Sequence, residues 1–139
     1  ALSRGKLPCV VVDLGTATTF TVLDASGTLI GYSITAGMSV ALSALKQSAA
    51  QLPTVQATAP EKVIGRNTIA AMQSGAVYGT ACMIDGMIAR IAAELDAEPA
   101  VLLTGGGAEK ISPLLTSAHD DLPYVTLRGL RIIWQKNKG

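Results

Sequence analysis

Apolar positions cluster or alternate in three short segments near the start of the chain. Residues 9–14 (CVVVDL) form a nearly continuous apolar run that ends in an acid and is followed by a glycine, which is typical of a buried strand. Residues 18–23 alternate and are rich in Thr, Phe and Val, and residues 28–34 alternate again after the turn at 24–27. The pattern therefore predicts three strands joined by tight connections, an antiparallel meander.

Helical spacing replaces alternation after the meander. Residues 38–50 carry apolar side chains at helical intervals, whereas residues 53–60 are polar and contain prolines, as loops do. Asn67 or Thr68 is predicted to cap a long helix that reaches about Leu95.

The rest of the chain adds two strands and two helices. Residues 100–104 are predicted as a buried strand, the glycines at 105–107 as a loop, and residues 108–116 as a helix. A last short strand is predicted at 124–126, before a C-terminal helix at 127–136. The order β-β-β-α-α-β-α-β-α predicts an α/β fold with a mixed sheet, in which the meander is followed by helix-linked parallel strands. This topology matches the ribonuclease-H-like half-domain of actin-like ATPases, a fold that by itself indicates no function.

Composition agrees with one compact domain and excludes several partners. Of the 139 residues, 49% are apolar and 15% are charged, which is enough for a core. The net charge is +1 and aromatics make up 4%, so we expect no binding of nucleic acid and none to an anionic membrane surface. The uncharged stretch 67–84 contains polar residues and glycines and is interpreted as a buried helix, not a membrane span.

Isolated polar residues suggest little further chemistry. Cys9 and Cys82 lie far apart in apolar runs, so we expect buried, reduced thiols and a cytoplasmic protein. The single histidine, His119, cannot complete a zinc site with them, and its polar surroundings predict a solvated loop. Asp85, inside the long helix, is interpreted as a hydrogen-bonded structural acid.

The strongest candidate for chemistry is the segment Asp13–Thr19 (DLGTATT). An acid ends a buried strand, a glycine permits a tight reversal, and hydroxyls and backbone amides follow at once. Such a loop can surround phosphate oxygens while the carboxylate holds a cation or a water. It is neither a Walker loop nor a dinucleotide fingerprint, because it lacks Gly-Lys-Ser/Thr and the next element is a strand. A Thr-rich hairpin turn without a ligand is the alternative.

Two further segments could bind a ligand. The glycines of Thr104–Ala108 (TGGGA) let a flat ligand approach the backbone, and the following helix N-terminus favours negative charge. The segment Gly65–Thr68 (GRNT) begins a helix without an acid in its first turn, which favours an anion or polar substrate there; alternatively, Thr68 is only the N-cap. Gly75 and Gly79 give this helix a smooth face for core packing or a dimer contact.

Together these segments resemble the C-terminal half of type III pantothenate kinases. The resemblance is carried, in order, by VVDLGTATTFTVLD (11–24), LPTVQATAPEKVIGRNTIAAMQSGAVYG (52–79), LLTGGGAEKI (102–111) and LRGLRIIWQKN (127–137). It implies ATP-dependent phosphorylation of the pantothenate 4′-hydroxyl, the first step of coenzyme A synthesis, with Mg²⁺ and a monovalent cation such as K⁺ or NH₄⁺. It also implies a homodimer, and that residues 1–139 are the C-terminal ribonuclease-H-like domain of a two-domain kinase whose N-terminal domain is absent.

The resemblance also implies roles for individual residues. Asp13 would hold the monovalent cation and Thr68 would contact pantothenate. The implied ATP contacts are Gly15, Thr16, Ala17, Thr18, Gly105 and Gly106. The acid implied as catalytic base lies upstream of Ala1, so no acid of this chain is assigned that role and the chain alone is expected to be inactive. Ala36 departs from the proline that the family usually has there.

Two other functions fit the same fold. A non-catalytic transcriptional regulator related to the Bvg accessory factor resembles these kinases closely, and the motifs upstream of this chain would separate the two. A sugar or acetate kinase shares the superfold, but the GRNT segment fits the pantothenate family better.

Overall fold

The computed structural model describes residues 5–138, which form one five-stranded sheet flanked by helices. The strands are β1 (Cys9–Leu14), β2 (Ala17–Leu23), β3 (Leu29–Ala36), β4 (Ala100–Thr104) and β5 (Asp120–Asp121). Their order is β3-β2-β1-β4-β5, with antiparallel pairs within the meander and parallel β1–β4 and β4–β5 pairs. The predicted mixed sheet of a ribonuclease-H-like half-domain is thereby confirmed.

Four α-helices connect and follow the strands in the predicted order. They are α1 (Met38–Ser48), α2 (Thr68–Leu95), α3 (Ala108–Ile111) and α4 (Val125–Lys136), and one 3₁₀ turn (Ser112–Leu114) follows α3. Asn67 is the N-cap of α2, since its side chain accepts a hydrogen bond from the Ala70 amide at 2.9 Å.

The core lies between one face of the sheet and the helices. Because side chains alternate along a strand, Val10, Val12 and Leu14 of β1 share that face. They belong to one buried cluster with side chains of α2, among them Ile84 and Ile88. The core face of the sheet thus positions the part of α2 between Met72 and Ile88.

Helix α2 buries only one of its faces. The helix is long and apolar enough to cross a membrane, since its most apolar 18-residue window has a mean hydropathy of 1.2. Of that window, 22% is buried. A core helix of a soluble protein can have the same length and composition, so the expectation that no membrane is involved stays a prediction.

Cys82 is exposed on α2, and the expectation that both cysteines are buried is wrong for this one. Ala81 and Ile84 point into the core, and Cys82 lies about 100° around the helix from Ala81. Cys9, in contrast, is fully buried, and burial raises the pKa of its thiol. Both cysteines are free.

Two elements near the C-terminus differ from those predicted. The strand predicted at 124–126 is absent: Tyr124 has a φ of 62° and precedes α4, and the last strand is instead β5. The helix predicted at 108–116 ends at Ile111, because Pro113 has no amide hydrogen to extend the α-helical bonding and the chain tightens into a 3₁₀ turn.

Candidate functional site

Three connections meet at the carboxyl end of β1. The Gly107 amide donates to the Leu14 carbonyl at 2.8 Å, and the Gly37 amide donates to the Thr16 carbonyl at 2.9 Å. Both acceptors belong to the turn between β1 and β2, so the backbone holds that turn from two sides. The start of α1 and the glycine loop after β4 are therefore its immediate neighbours.

Glycine is required at two of these contacts because the backbones approach so closely. A β-carbon at Gly37 would lie 2.7 Å from the Thr16 carbonyl oxygen, which is too close for any side chain. Gly105 has a φ of +93°, and a β-carbon there would lie 2.6 Å from the Leu14 amide nitrogen and overlap Oδ1 of Asp13. The glycine loop thus packs directly against the Asp13 carboxylate.

The first cavity at this edge, pocket A, has a volume of about 280 Å³. Its polar lining comes from the β1–β2 turn, the start of α1 and the residues after β4, namely Gly15, Thr16, Thr18, Ser39, Gly106, Gly107 and Lys110. Lys110 is the only charged residue of the lining, and the first turn of α1 contains no acid. The positive end of the α1 dipole and an ammonium group therefore both favour an anion here.

Thr18 presents a free hydroxyl to pocket A. The residue is 1% exposed, yet its hydroxyl makes no hydrogen bond within residues 5–138. Buried hydroxyls are normally hydrogen-bonded. No fully buried side-chain N or O atom of the described residues lacks a partner, so the Thr18 oxygen is reached from the cavity and is available to a ligand or water there.

The second cavity, pocket B, has a volume of about 620 Å³, and its charged lining residues are acidic, in contrast to the lysine of pocket A. Asp13, Glu109 and Asp121 line it, and no Lys or Arg does. Thr104 pairs with Asp13 in the parallel β1–β4 register and is 4% exposed, and its side-chain hydroxyl makes no hydrogen bond within the described chain. Such a lining disfavours phosphate groups and fits the hydroxyls and the flat ring of a nucleoside.

Gly106 lines both pockets, so the two cavities are neighbours. A ligand that passes over Gly106 would place an anionic end in pocket A and an uncharged end in pocket B. Gly106 has nothing within 4 Å of the position of a β-carbon, so its face towards the ligand is open.

Thr68 lies in a third cavity, pocket C, a groove of about 650 Å³ between α1 and α2. Apolar side chains such as Leu42, Leu45 and Met72 form most of it, with Arg66 and Thr68 at the start of α2. Because Asn67 is the N-cap and the Thr68 side chain makes no hydrogen bond in the described chain, the alternative that Thr68 merely caps α2 is wrong.

The structure therefore divides the sequence-predicted residues among three cavities. Gly15, Thr16 and Thr18 line pocket A, Asp13 and Gly105 line pocket B, Gly106 lines both, and Thr68 lines pocket C; Ala17 lines none of the three. Ala17 instead accepts the Gly15 amide at 3.0 Å and closes the turn.

Asp85 has the structural role that the sequence suggests. Its carboxylate accepts hydrogen bonds from the amide and hydroxyl of both Thr116 and Ser117, at 2.7–3.2 Å. Partial burial by itself raises the pKa of Asp85, but these four donors together outweigh it and lower the pKa below its usual range. The acid thus joins α2 to the segment that leads into β5.

His119 is not in a solvated loop, contrary to expectation. It is half-buried, with Nδ1 2.8 Å from the Ser117 carbonyl oxygen and Nε2 2.9 Å from the Ser112 hydroxyl oxygen. The same hydroxyl lies 2.8 Å from Asp121. These contacts stabilise the turn before β5.

Oxygen donors suited to a cation are few. No group of three or more His, Cys, Asp and Glu side chains comes together in residues 5–138. The Asp13 carboxylate and the Thr104 hydroxyl are adjacent in register and suit a weakly bound monovalent cation. A divalent ion would take most of its ligands from a bound phosphate and from water.

Sequence reasoning missed Lys110 and the N-terminus of α1. It assigned the anion-binding helix end to the element after the glycine loop, but α3 has only four residues and Glu109 in its first turn. The first turn of α1, free of acids, was visible in the sequence, but its proximity to the Asp13 turn depends on the Gly37–Thr16 contact.

Comparisons with known proteins point to one family. The sequence model of the type III pantothenate kinases matches residues 1–90. The chain is similar to a type III pantothenate kinase of Anaeromyxobacter dehalogenans (44% identity over 99% of this chain and 54% of that protein). It is also similar to one of Acidothermus cellulolyticus (42% over 94% of this chain and 51% of that protein). The chain thus spans about half the length of the curated relatives it matches.

One solved structure supports the fold. A conserved protein from Campylobacter jejuni, assigned to the Baf family of transcriptional activators, superposes with a TM-score of 0.65 at 21% identity. The match covers 94% of this chain and 58% of the other.

Proposed function

This chain belongs to the type III pantothenate kinase family, and we propose that its protein transfers the γ-phosphoryl group of ATP to the 4′-hydroxyl of pantothenate, giving 4′-phosphopantothenate. The proposal rests on one observation: the two cavities that meet at Gly106 have linings of opposite charge. A cavity lined by one cation and a free buried hydroxyl adjoins a cavity lined by three acids. ATP has the matching division between a triphosphate and a nucleoside.

The triphosphate occupies pocket A in this proposal. The turn at Gly15 and Thr16 lies against the phosphates, with the Thr16 amide available to a phosphate oxygen because the Gly15 amide is bonded to the Ala17 carbonyl, and the Thr18 hydroxyl donates to another. The adenosine lies in pocket B against Gly105 and Gly106, where the absence of side chains permits a flat contact with the backbone.

The monovalent cation, K⁺ or NH₄⁺, is held by Asp13 with the Thr104 hydroxyl as a second oxygen donor. Mg²⁺ would be bound mainly by the phosphate oxygens of ATP and by water, and it would offset the negative charge that develops on the transferred phosphoryl group. Close packing of Gly105 against the Asp13 carboxylate keeps that carboxylate in one place. The cation site therefore depends on the glycine loop as well as on the acid.

Pantothenate contacts Thr68 at the start of α2, where the positive helix end suits its carboxylate. In the transfer step the pantothenate oxygen forms a bond to the γ-phosphorus, the bond to the bridging oxygen of ADP breaks, and a base takes the hydroxyl proton. No acid of this chain is assigned as that base. This half provides positioning and electrostatic stabilisation, which supply most of the catalysis in phosphoryl transfer.

A homodimer is part of the proposal, with α2 at the contact. Gly75 and Gly79 lie on its exposed face, and nothing approaches within 4 Å of a β-carbon at either. A second helix could pack closely there. A monomeric mass for the full-length protein at micromolar concentration would contradict this arrangement. We further propose that the enzyme is cytoplasmic and binds neither nucleic acid nor membrane.

The proposal is tested with the full-length protein, that is, this chain together with the N-terminal half that its relatives possess. We expect ATP-dependent phosphorylation of pantothenate that requires K⁺ or NH₄⁺. A folded protein that binds ATP without turnover would favour a regulator of the same fold, and turnover of a sugar or acetate but not pantothenate would favour the third alternative.

A further inference from the structure

We propose that Lys110 binds the phosphate groups of the nucleotide in pocket A. The inference rests on the proposed use of ATP and adds a residue that the glycine and threonine motifs do not contain. Lys110 belongs to the short helix α3, directly after the glycine loop, and lines pocket A together with Thr16 and Thr18.

The ammonium group of Lys110 is already held at the wall of the cavity. It donates a hydrogen bond at 2.9 Å to the carbonyl oxygen of Ala57, a residue that is 7% exposed and lines the same pocket. An ammonium group has three N–H donors. Two of them therefore remain for phosphate oxygens while the bond to Ala57 persists.

The carbonyl that holds Lys110 is itself anchored. Ala57 lies in the loop before α2, and the Tyr78 hydroxyl donates to the Pro60 carbonyl of that loop at 2.9 Å. Ser74 likewise donates to the Val63 carbonyl. Because α2 packs on the sheet core, Lys110 is attached to a supported loop, so less side-chain freedom is lost when a phosphate binds.

No acidic side chain of the described residues pairs with Lys110. Lys110 is also the only charged residue lining pocket A. Its neighbour Glu109 lines pocket B instead. Together with the free Thr18 hydroxyl and the acid-free first turn of α1, this leaves three groups that favour an anion and none that opposes one.

The test compares Lys110→Gln and Lys110→Arg in the full-length protein. A glutamine amide can still donate to the Ala57 carbonyl but carries no charge, whereas arginine keeps the charge. Lys46→Gln is the matched control, because Lys46 also donates to a backbone carbonyl, that of Ala50 at 3.1 Å, but does not line pocket A. Binding of inorganic tripolyphosphate and of adenosine is measured separately by calorimetry, with unfolding temperatures recorded for each variant.

We expect Lys110→Gln to weaken tripolyphosphate binding about tenfold, as the loss of a charge-assisted hydrogen bond does. Adenosine binding should be unchanged, and Lys110→Arg and Lys46→Gln should stay near the parent affinity. Equal tripolyphosphate affinity for the parent and Lys110→Gln would overturn the inference. A parallel loss of tripolyphosphate and adenosine binding would overturn it too, since it would show that Lys110 only supports the loop.

The tripolyphosphate-binding result tests the role of Lys110 whether or not the protein phosphorylates pantothenate. If Lys110→Gln loses tripolyphosphate affinity but the parent protein does not phosphorylate pantothenate, the inference stands and the proposed function fails. If the parent is an active kinase and the variant binds tripolyphosphate normally, the proposed function stands and the inference fails.

Discussion

The Asp13 carboxylate lies against the α-carbon of Gly105, so closely that a side chain at position 105 would overlap Oδ1. The contact joins two loops that are 92 residues apart in sequence, the turn after β1 and the connection after β4. Parallel pairing of β1 with β4 brings their carboxyl ends to one edge of the sheet, and the glycine then allows the two loops to touch. The cation-binding and nucleoside-binding parts of the proposed site thus depend on a single backbone contact.

Gly105→Ala is expected to destabilise the protein by at least about 2 kcal/mol, because the residue has a positive φ and its β-carbon would overlap Asp13 and Leu14. Gly106→Ala is the matched control, since its β-carbon would meet nothing within 4 Å. Urea unfolding of both variants measures the difference. Equal stability of the two would contradict the close contact between the loops.

Thr18→Val removes a buried hydroxyl that makes no hydrogen bond, so the free energy of unfolding should change by less than about 1 kcal/mol. The KM for ATP should rise roughly five- to tenfold, as expected for the loss of one hydrogen bond to a charged group. Thr21→Val, on the same strand but on the opposite sheet face, is the control for steady-state kinetics. An unchanged KM in Thr18→Val would remove Thr18 from the phosphate site.

Substitutions of the adjacent residues Asn67 and Thr68 should have different effects, the first mainly on stability and the second mainly on substrate binding. Asn67→Ala loses the cap on the Ala70 amide and should cost about 1 kcal/mol of unfolding free energy. Thr68→Ala should leave stability nearly unchanged and raise the KM for pantothenate, with the KM for ATP unaffected. If Thr68→Ala behaved like the parent in pantothenate kinetics, the assignment of pocket C would be wrong.

The Asp85 carboxylate should make stability depend on pH in the acid range. Its pKa is lowered in the folded protein, so the stabilisation is complete above the unfolded pKa of about 4 and is lost as the pH falls through the folded pKa. Asp85→Asn should therefore be less stable than the parent at pH 7, with a difference that shrinks below about pH 4. A stability difference between Asp85→Asn and the parent that stays constant from pH 7 to below pH 4 would contradict the linkage.

The long elements could be predicted because local and tertiary preferences agree. β1 and β4 are apolar runs bounded by a glycine or a proline, and both were placed at their observed residues. α2 begins after the capping residue Asn67 and ends at Leu95, as predicted, because its apolar spacing matches the core face of the sheet. In these segments the hydrophobic pattern, the bounding glycine or proline and the capping residue all favour the same structure.

The errors arose where a long-range contact overrides local preference. β5 consists of Asp120 and Asp121, which have little strand propensity and form a strand only because their backbone pairs with β4. The segment 124–126 (YVT) has high strand propensity but lies at the start of α4. Lys110 lies within the segment 102–111 but no pattern there assigns it a role, and its part in pocket A follows from the bond to Ala57, 53 residues away.

The central claim is that the Asp13 turn belongs to a cation-dependent pantothenate kinase. The most direct test is the rate of ATP-dependent pantothenate phosphorylation by the full-length protein, measured with and without K⁺, for the parent and for Asp13→Ala. We predict turnover that requires K⁺ in the parent and loss of that turnover in the variant. Full K⁺ activation of Asp13→Ala would contradict the cation site, and a folded, ATP-binding parent without turnover would contradict the kinase.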